Sequence, residues 1–182
     1  MVDAGATVYS YDTVGQLLSE DGPWSSDTIN YTYNNRLRAG LSLSAPNASA
    51  WTQSYGYDSM KRLTNVTSQA GAFGYSYVGQ SVSAGSLVSK VSLPNGAYIT
   101  SAYDSIERML STVVKYSTNG ALNSHSYAYN AGNQRTVLTN TARDFRNFTY
   151  DNIGQLKTAV GKEAGGTTNR WNEQFGYAYD AA

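Results

Sequence analysis

The feature that most constrains this chain is an internal repeat. The pattern Tyr-x-Tyr-Asp-x-x-Gly-x-Leu, two aromatics flanking one residue and followed by a turn, recurs from one end to the other. It is clearest as Tyr9-Ser-Tyr11-Asp12-Thr-Val-Gly15-Gln-Leu17 and as Phe148-Thr-Tyr150-Asp151-Asn-Ile-Gly154-Gln-Leu156. Further copies are Tyr55-Gly-Tyr57-Asp58 with Leu63, Ala102-Tyr103-Asp104 with Met109, and Tyr127-Ala-Tyr129-Asn130 with Arg135. Tyr31-Thr-Tyr33-Asn34 and Tyr75-Ser-Tyr77 are degenerate, and Tyr177-Ala-Tyr179-Asp180 stands at the C-terminal end. The second aromatic returns every 20 to 29 residues, 24 on average.

Each copy predicts a β-hairpin. Aromatics two apart project from the same face of a strand and favour extended backbone. Asp followed three residues later by Gly suits a type I turn, with the carboxylate accepting backbone N–H groups and Gly taking the exit geometry. The residue five after the Asp then begins the return strand. Pro94-Asn95-Gly96, Asn119-Gly120 and Gly165-Gly166 mark turns between copies. No segment sustains a 3.6-residue apolar period. The expectation is an all-β chain, an antiparallel meander of hairpins forming a curled sheet, a partial shell or a barrel. No composition shift marks a boundary, so residues 1–182 are expected to form one repeat domain of seven to eight repeats, truncated at both ends. Residues 46–50 and 161–169 are expected to be long hairpin connections.

Composition sharpens this. Leu, Ile, Val and Phe supply 32 of 182 residues, below the roughly 20% under which disorder becomes a concern, but net charge is zero and tyrosine numbers 16. Fourteen of those tyrosines fall within the repeats, all but Tyr98 and Tyr116. Since an aromatic side chain buries about 150–250 Å², tyrosine stands in for the missing aliphatic core. The absence of Cys excludes disulfides, thiolate metal sites and a Cys nucleophile, and one histidine excludes any site needing two imidazoles. Charge neutrality leaves no footprint for nucleic acid or an anionic membrane. No run approaches the length needed to span a bilayer as a helix. The N-terminus lacks the basic and apolar segments of a secretory signal, so the chain is expected to stay where it is made unless it belongs to a longer exported protein.

The repeated residues resemble the YD repeats of Rhs proteins, teneurins and the C component of insecticidal toxin complexes, and the resemblance runs from Tyr9 to Asp180. The motif positions that carry it are Tyr11, Asp12 and Gly15; Tyr57 and Asp58; Tyr103 and Asp104; Tyr129 and Asn130; and Tyr150, Asp151 and Gly154. The resemblance implies a long β-sheet spiralling into a hollow shell around a C-terminal toxin domain. There are departures: Lys61 and Glu107 replace the turn glycine, and the copy at Asn34 has lost residues before Leu37. Nothing matches the family's core-end segment or an appended toxin. Because a complete shell is several times longer, the chain is expected to be a fragment of one.

Three sets of residues remain candidates for chemistry. His125 with a serine and an acid formally allows nucleophilic catalysis, but no Gly-x-Ser-x-Gly elbow surrounds any serine. Paired carboxylates are the other route. The repeated acids are accounted for by turn capping, which leaves Asp144 and Glu173 among the non-repeat acids; a small hydrolase would use Asp144, Glu173 or His125. Trp24, Trp51 and Trp171 lie outside the motif, in segments expected to be loop-rich, and are candidates for stacking on a carbohydrate. No metal-ligand spacing or phosphate loop is present, so no cofactor is expected. The leading expectation is a structural shell or scaffold fragment without catalysis, associating through exposed sheet edges with itself or with further repeats of a parent protein. A carbohydrate-binding module and a small hydrolase are the alternatives.

Overall fold

The computed structural model describes residues 5–45, 48–79 and 85–180. The chain divides into two compact units, Met1–Asn95 and Gly96–Ala182. The first holds β1 (Val8–Tyr11), β2 (Leu17–Asp21), β3 (Ile29–Asn34), β4 (Leu37–Ala45), β5 (Ala48–Tyr57), β6 (Leu63–Ser68), β7 (Gly71–Tyr77) and β8 (Val88–Ser92). The second holds β9 (Tyr98–Tyr103), β10 (Met109–Lys115), β11 (Ala121–Tyr129), β12 (Arg135–Asn140), β13 (Phe145–Tyr150), β14 (Leu156–Lys162) and β15 (Asn169–Gly176). Within each unit every strand pairs antiparallel with its neighbour in the chain. No helix forms among the described residues, and so none is long and apolar enough to cross a membrane. The all-β meander expected from the repeat is what the chain adopts. The barrel alternative is not: the strand order is linear, with β1 bonded to β2 alone and β15 to β14 alone.

The motif turns share one set of bonds. In the first, Asp12 N–H donates to the Gln16 carbonyl (2.9 Å) and Gly15 N–H to the Asp12 carbonyl (3.1 Å). Asp12 Oδ1 accepts from the N–H groups of Val14 (2.9 Å) and Gln16 (2.8 Å). Asp58, Asp104 and Asp151 repeat every bond. The fourth turn residue is left-handed each time: Gly15 (φ 82°), Lys61 (62°), Glu107 (69°), Asn133 (61°) and Gly154 (89°). Lys61 and Glu107 therefore occupy backbone that favours glycine. In the damaged copy Asn35 (φ 50°) and Arg36 (66°) make a two-residue turn with both central residues left-handed, the geometry that suits strand twist.

A second device follows each turn. Tyr11 pairs with Leu17 while Ser10 pairs with Ser19, so Leu18 is bulged. The same register shift sits beside Tyr33, Tyr57, Tyr77, Tyr103, Tyr129 and Tyr150. A bulge leaves backbone groups without their ladder partners, and here the next repeat supplies one. The Tyr33 hydroxyl donates to the Leu17 carbonyl (2.9 Å), Tyr57 to Arg38 (3.0 Å) and Tyr77 to Leu63 (2.7 Å). In the second unit Tyr129 donates to Met109 (2.8 Å), Tyr150 to Arg135 (2.8 Å) and Tyr179 to Leu156 (2.9 Å). In every case the acceptor is the residue paired with the preceding repeat's own tyrosine.

The side chain four after the turn Asp reinforces this link. Arg62 Nε bonds Asp58 at 2.7 Å, Arg62 Nη1 reaches the Gly85 carbonyl at 2.6 Å, and the guanidinium lies over the next tyrosine, 4.6 Å from the Tyr77 centroid. Arg108 repeats the pattern on Asp104 (2.7 Å), Asn133 (2.9 Å) and Tyr129 (4.9 Å). Gln16 and Gln134 donate to the carbonyls of Arg36 (3.4 Å) and Gly154 (3.1 Å).

Tyrosine does not build an enclosed core. Tyr31 and Ala159 are the buried apolar residues among those described, with Asp144 the buried charge. Within each unit the motif tyrosines line one face of the sheet, together with Leu41, Leu43, Val66 and Phe73 in the first and Leu138 and Phe148 in the second, and that face is half-buried by its own side chains. The opposite face carries small hydroxyl residues, with Ser10 against Ser19 and Thr149 against Thr158, each pair 2.6 Å apart. The long connections expected at 46–50 and 161–169 are shorter than that. Ala45 pairs with Ala48, leaving Pro46 and Asn47, which lie outside the described residues, and β14 continues through Lys162.

Candidate functional site

In a meander, alternate turns lie at opposite rims. Within the second unit the motif turns at 104–107, 130–133 and 151–154 share one rim. The turns at 116–120, 140–144 and 163–168 share the other. The residues that combine chemistry lie at this second rim, away from the repeat motif.

The turn after β12 copies the motif geometry with different side chains. Asn140 N–H donates to the Asp144 carbonyl (2.9 Å), and Arg143 takes the left-handed position (φ 66°). Asn140 Nδ2 donates to Asp144 Oδ2 at 2.7 Å, which turns its Oδ1 toward His125 Nδ1 at 3.1 Å. With that oxygen as acceptor, Nδ1 carries the proton.

β15 supplies the rest by breaking its register. Lys162 pairs with Asn169 and Val160 with Gln174, so residues 170–173 bulge opposite Gly161. Asn172 is left-handed within the bulge (φ 57°). Gln174 Nε2 ties the bulge down by donating to the carbonyls of Gly161 (3.0 Å) and Arg170 (3.1 Å). The distortion sends Arg170 and Glu173 toward the sheet and Trp171 into solvent, 89% exposed. Arg170 Nη1 meets Asp144 Oδ2 at 2.9 Å and Glu163 at 3.7 Å, and its Nε meets Glu173 Oε1 at 3.0 Å. Arg146 Nη2 closes on Glu173 Oε2 at 2.7 Å. Only glycine fits at 161, since a Cβ there would stand 2.6 Å from Glu173 Cβ.

The structure thus brings together His125, Asp144 and Glu173 in one network that runs through Asn140 and Arg170. Its electrostatics favour a clamp. The Arg146 hydrogen bond, then that of Arg170, holds the Glu173 carboxyl below the usual carboxylate range, while Glu173 in turn raises Arg170. A general acid requires the opposite shift. His125 faces an amide through Nδ1 where a catalytic imidazole would face a carboxylate. Among the described residues no group of three His, Cys, Asp or Glu side chains has the arrangement to hold a metal.

The tryptophans lie in three different segments. Trp24 is in the β2–β3 connection, 67% exposed, its backbone N–H donating to Asp27 Oδ2 at 3.0 Å. Trp51 and Trp171 lie in strands β5 and β15, not in loops. The repeat residues Tyr11, Asp12, Gly15, Tyr57, Asp58, Tyr103, Asp104, Tyr129, Asn130, Tyr150, Asp151 and Gly154 occupy the turns and the strand ends beside them. Arg146, Arg170 and the Gln or Arg four after each turn Asp were not anticipated. For the last group the signal was present, since Gln16, Arg62, Arg108, Gln134 and Gln155 are all long and hydrogen-bond-donating.

No protein-family model matches the chain, and no curated protein matches it. Similar solved structures include a crystal structure of TcdB2-TccC3 with Cdc42, at 15% identity and a TM-score of 0.41. TcdB2-TccC3 without its hypervariable C-terminal region is similar at 14% identity and a TM-score of 0.43. Each alignment covers 85% of this chain, which spans 12% of the length of the matched one. A porin-like protein from Bacteroides uniformis aligns at 12% identity and a TM-score of 0.29, over 94% of this chain and 85% of its own.

Proposed function

We propose that this chain is wall material: a segment of a shell-forming YD-repeat protein that works by presenting a coupled array of hairpins and carries out no reaction of its own. The observation that carries this reading is the tyrosine ladder. In each unit three motif tyrosines deliver a hydroxyl to the main chain of the hairpin before them, so these residues, which make the motif recognisable, are occupied in joining repeats. The turn carboxylates are likewise engaged by backbone N–H groups and by Arg62 and Arg108. The same geometry supports association by strand addition, with further repeats or a second copy pairing along β1 or β15.

The test compares the intact chain with Asp144→Asn, Glu173→Gln and His125→Ala on chromogenic glycosides and esters, alongside light scattering across a concentration series. Equal background rates in all four proteins and a mass that rises with concentration are expected. Turnover by the intact chain that disappears in any of the variants would overturn the scaffold reading in favour of a hydrolase. A strictly monomeric species with freely exchanging β1 and β15 amides would remove the strand-addition part.

A further inference from the structure

The β15 bulge is the place where the second unit abandons its repeat logic, and it builds a surface that the wall does not need. It presents the Trp171 indole to solvent beside an open cleft of about 500 Å³ lined by Asn169, Arg170, Trp171, Asn172 and Gln174. We propose that this cleft binds a neutral carbohydrate, with one sugar ring stacked on the Trp171 indole and its hydroxyls bonded to the amides of Asn169 and Asn172.

Three independent observations lead there. The first is rigidity. Gln174 bridges two carbonyls across the bulge, and Arg170 and Glu173 anchor its inner side through ion pairs, so the backbone that carries Trp171 is tied on both sides. Bulges that re-aim one side chain are characteristic of binding and active sites. The left-handed Asn172 is backbone strain of the kind that persists where surrounding contacts enforce it.

The second is the lining. Apart from Trp171 the residues that line the cleft carry amides and one guanidinium. A sugar ring has one C–H face and a rim of hydroxyls, which matches an indole flanked by amides that both donate and accept. The third is charge. Arg170, the cation in the lining, is already engaged by Asp144, Glu163 and Glu173, so no free cation there recruits a sulfate, phosphate or carboxylate.

The proposal is independent of the wall reading and is tested by calorimetry and tryptophan fluorescence on the whole chain. The probes are neutral cello-, xylo-, manno-, malto- and chito-oligosaccharides, with heparin as the anionic comparison. At least one neutral oligosaccharide is expected to bind. Trp171→Ala, at a position exposed enough to leave folding intact by circular dichroism, should weaken it at least about tenfold, the scale of losing an aromatic contact surface. Asn172→Gly keeps the left-handed backbone and removes only the amide, and should weaken binding severalfold. Trp24→Ala should bind as the parent does. Silence across the neutral panel, undiminished binding by Trp171→Ala, or heparin binding as tightly as the neutral sugars would each overturn the proposal.

Discussion

At the scale of single residues, two kinds of contact join one repeat to the next: a tyrosine hydroxyl on a carbonyl, and a long polar side chain reaching from one turn toward its neighbour. Tyr57→Phe or Tyr150→Phe removes the hydroxyl and leaves the ring, so a loss of about 0.5–1.5 kcal/mol per substitution is expected, read as a lower urea midpoint. An unchanged midpoint in both would show the ladder to be incidental. Lys61 points the other way. It occupies a left-handed position filled by glycine in two other copies, and Lys61→Gly should stabilise the chain by about 0.5–1 kcal/mol in the same assay. Acidity has a definite sign. Asp58 is held below its ordinary value by the Arg62 backbone N–H and then by the guanidinium. At Asp104 burial pushes upward, but the hydrogen bonds and charge of Arg108 outweigh it, and Arg146 leads the same shift at Glu173. Depressed folded values mean that these carboxylates stabilise the fold above the ordinary carboxylate range. That contribution is lost as pH falls below about 4 and through the folded values. Urea melts from neutral pH downward should show this decline, and Glu173→Gln should flatten part of it. A melt insensitive to acid would contradict the shifts. The tyrosine positions were plain in the repeat. The hydroxyl acceptors were not, because a backbone carbonyl has no letter of its own.

At the scale of elements, hairpin follows hairpin as the Asp and Tyr spacing requires, and the turn bonds of Asp12 recur where that spacing places them. The bulge beside each motif tyrosine was hidden, since one extra residue on a strand changes register without changing composition. The site at the other rim was half visible. Asp144, Glu173 and His125 stood out as residues no repeat explains, yet Asn140 and Arg170, which join them, are separated by 30 positions in the chain and converge on Asp144 only because β12, β13, β14 and β15 follow one another in the sheet. Gly161 is the hinge of that arrangement. Gly161→Ala forces Glu173 and its strand outward and should destabilise the second unit by about 1–3 kcal/mol, with Trp171 fluorescence shifting as the bulge is displaced. A stable variant with unchanged fluorescence would mean that the bulge does not depend on close approach.

At the scale of the molecule, the strands within each unit touch only their neighbours in sequence, and almost nothing is fully buried. Stability in such an array is a sum of hairpins and the junctions between them. Hydrogen exchange should therefore respond locally: Tyr150→Phe is expected to speed exchange in β12 to β14 and to leave β9 and β10 as they were. Uniform loss of protection through the second unit would instead indicate one cooperative core. The tyrosine ladder also bears on how such a chain changes over generations. Its acceptors are the peptide oxygens of Leu17, Arg38, Leu63, Met109, Arg135 and Leu156, so an arginine serves there as well as a leucine or a methionine. A lock whose keyhole is present in every amino acid survives mutation of the residue that bears it. It also accepts any neighbour that brings the tyrosine, so whole hairpins can be duplicated, deleted or exchanged by recombination without a compensating change next door.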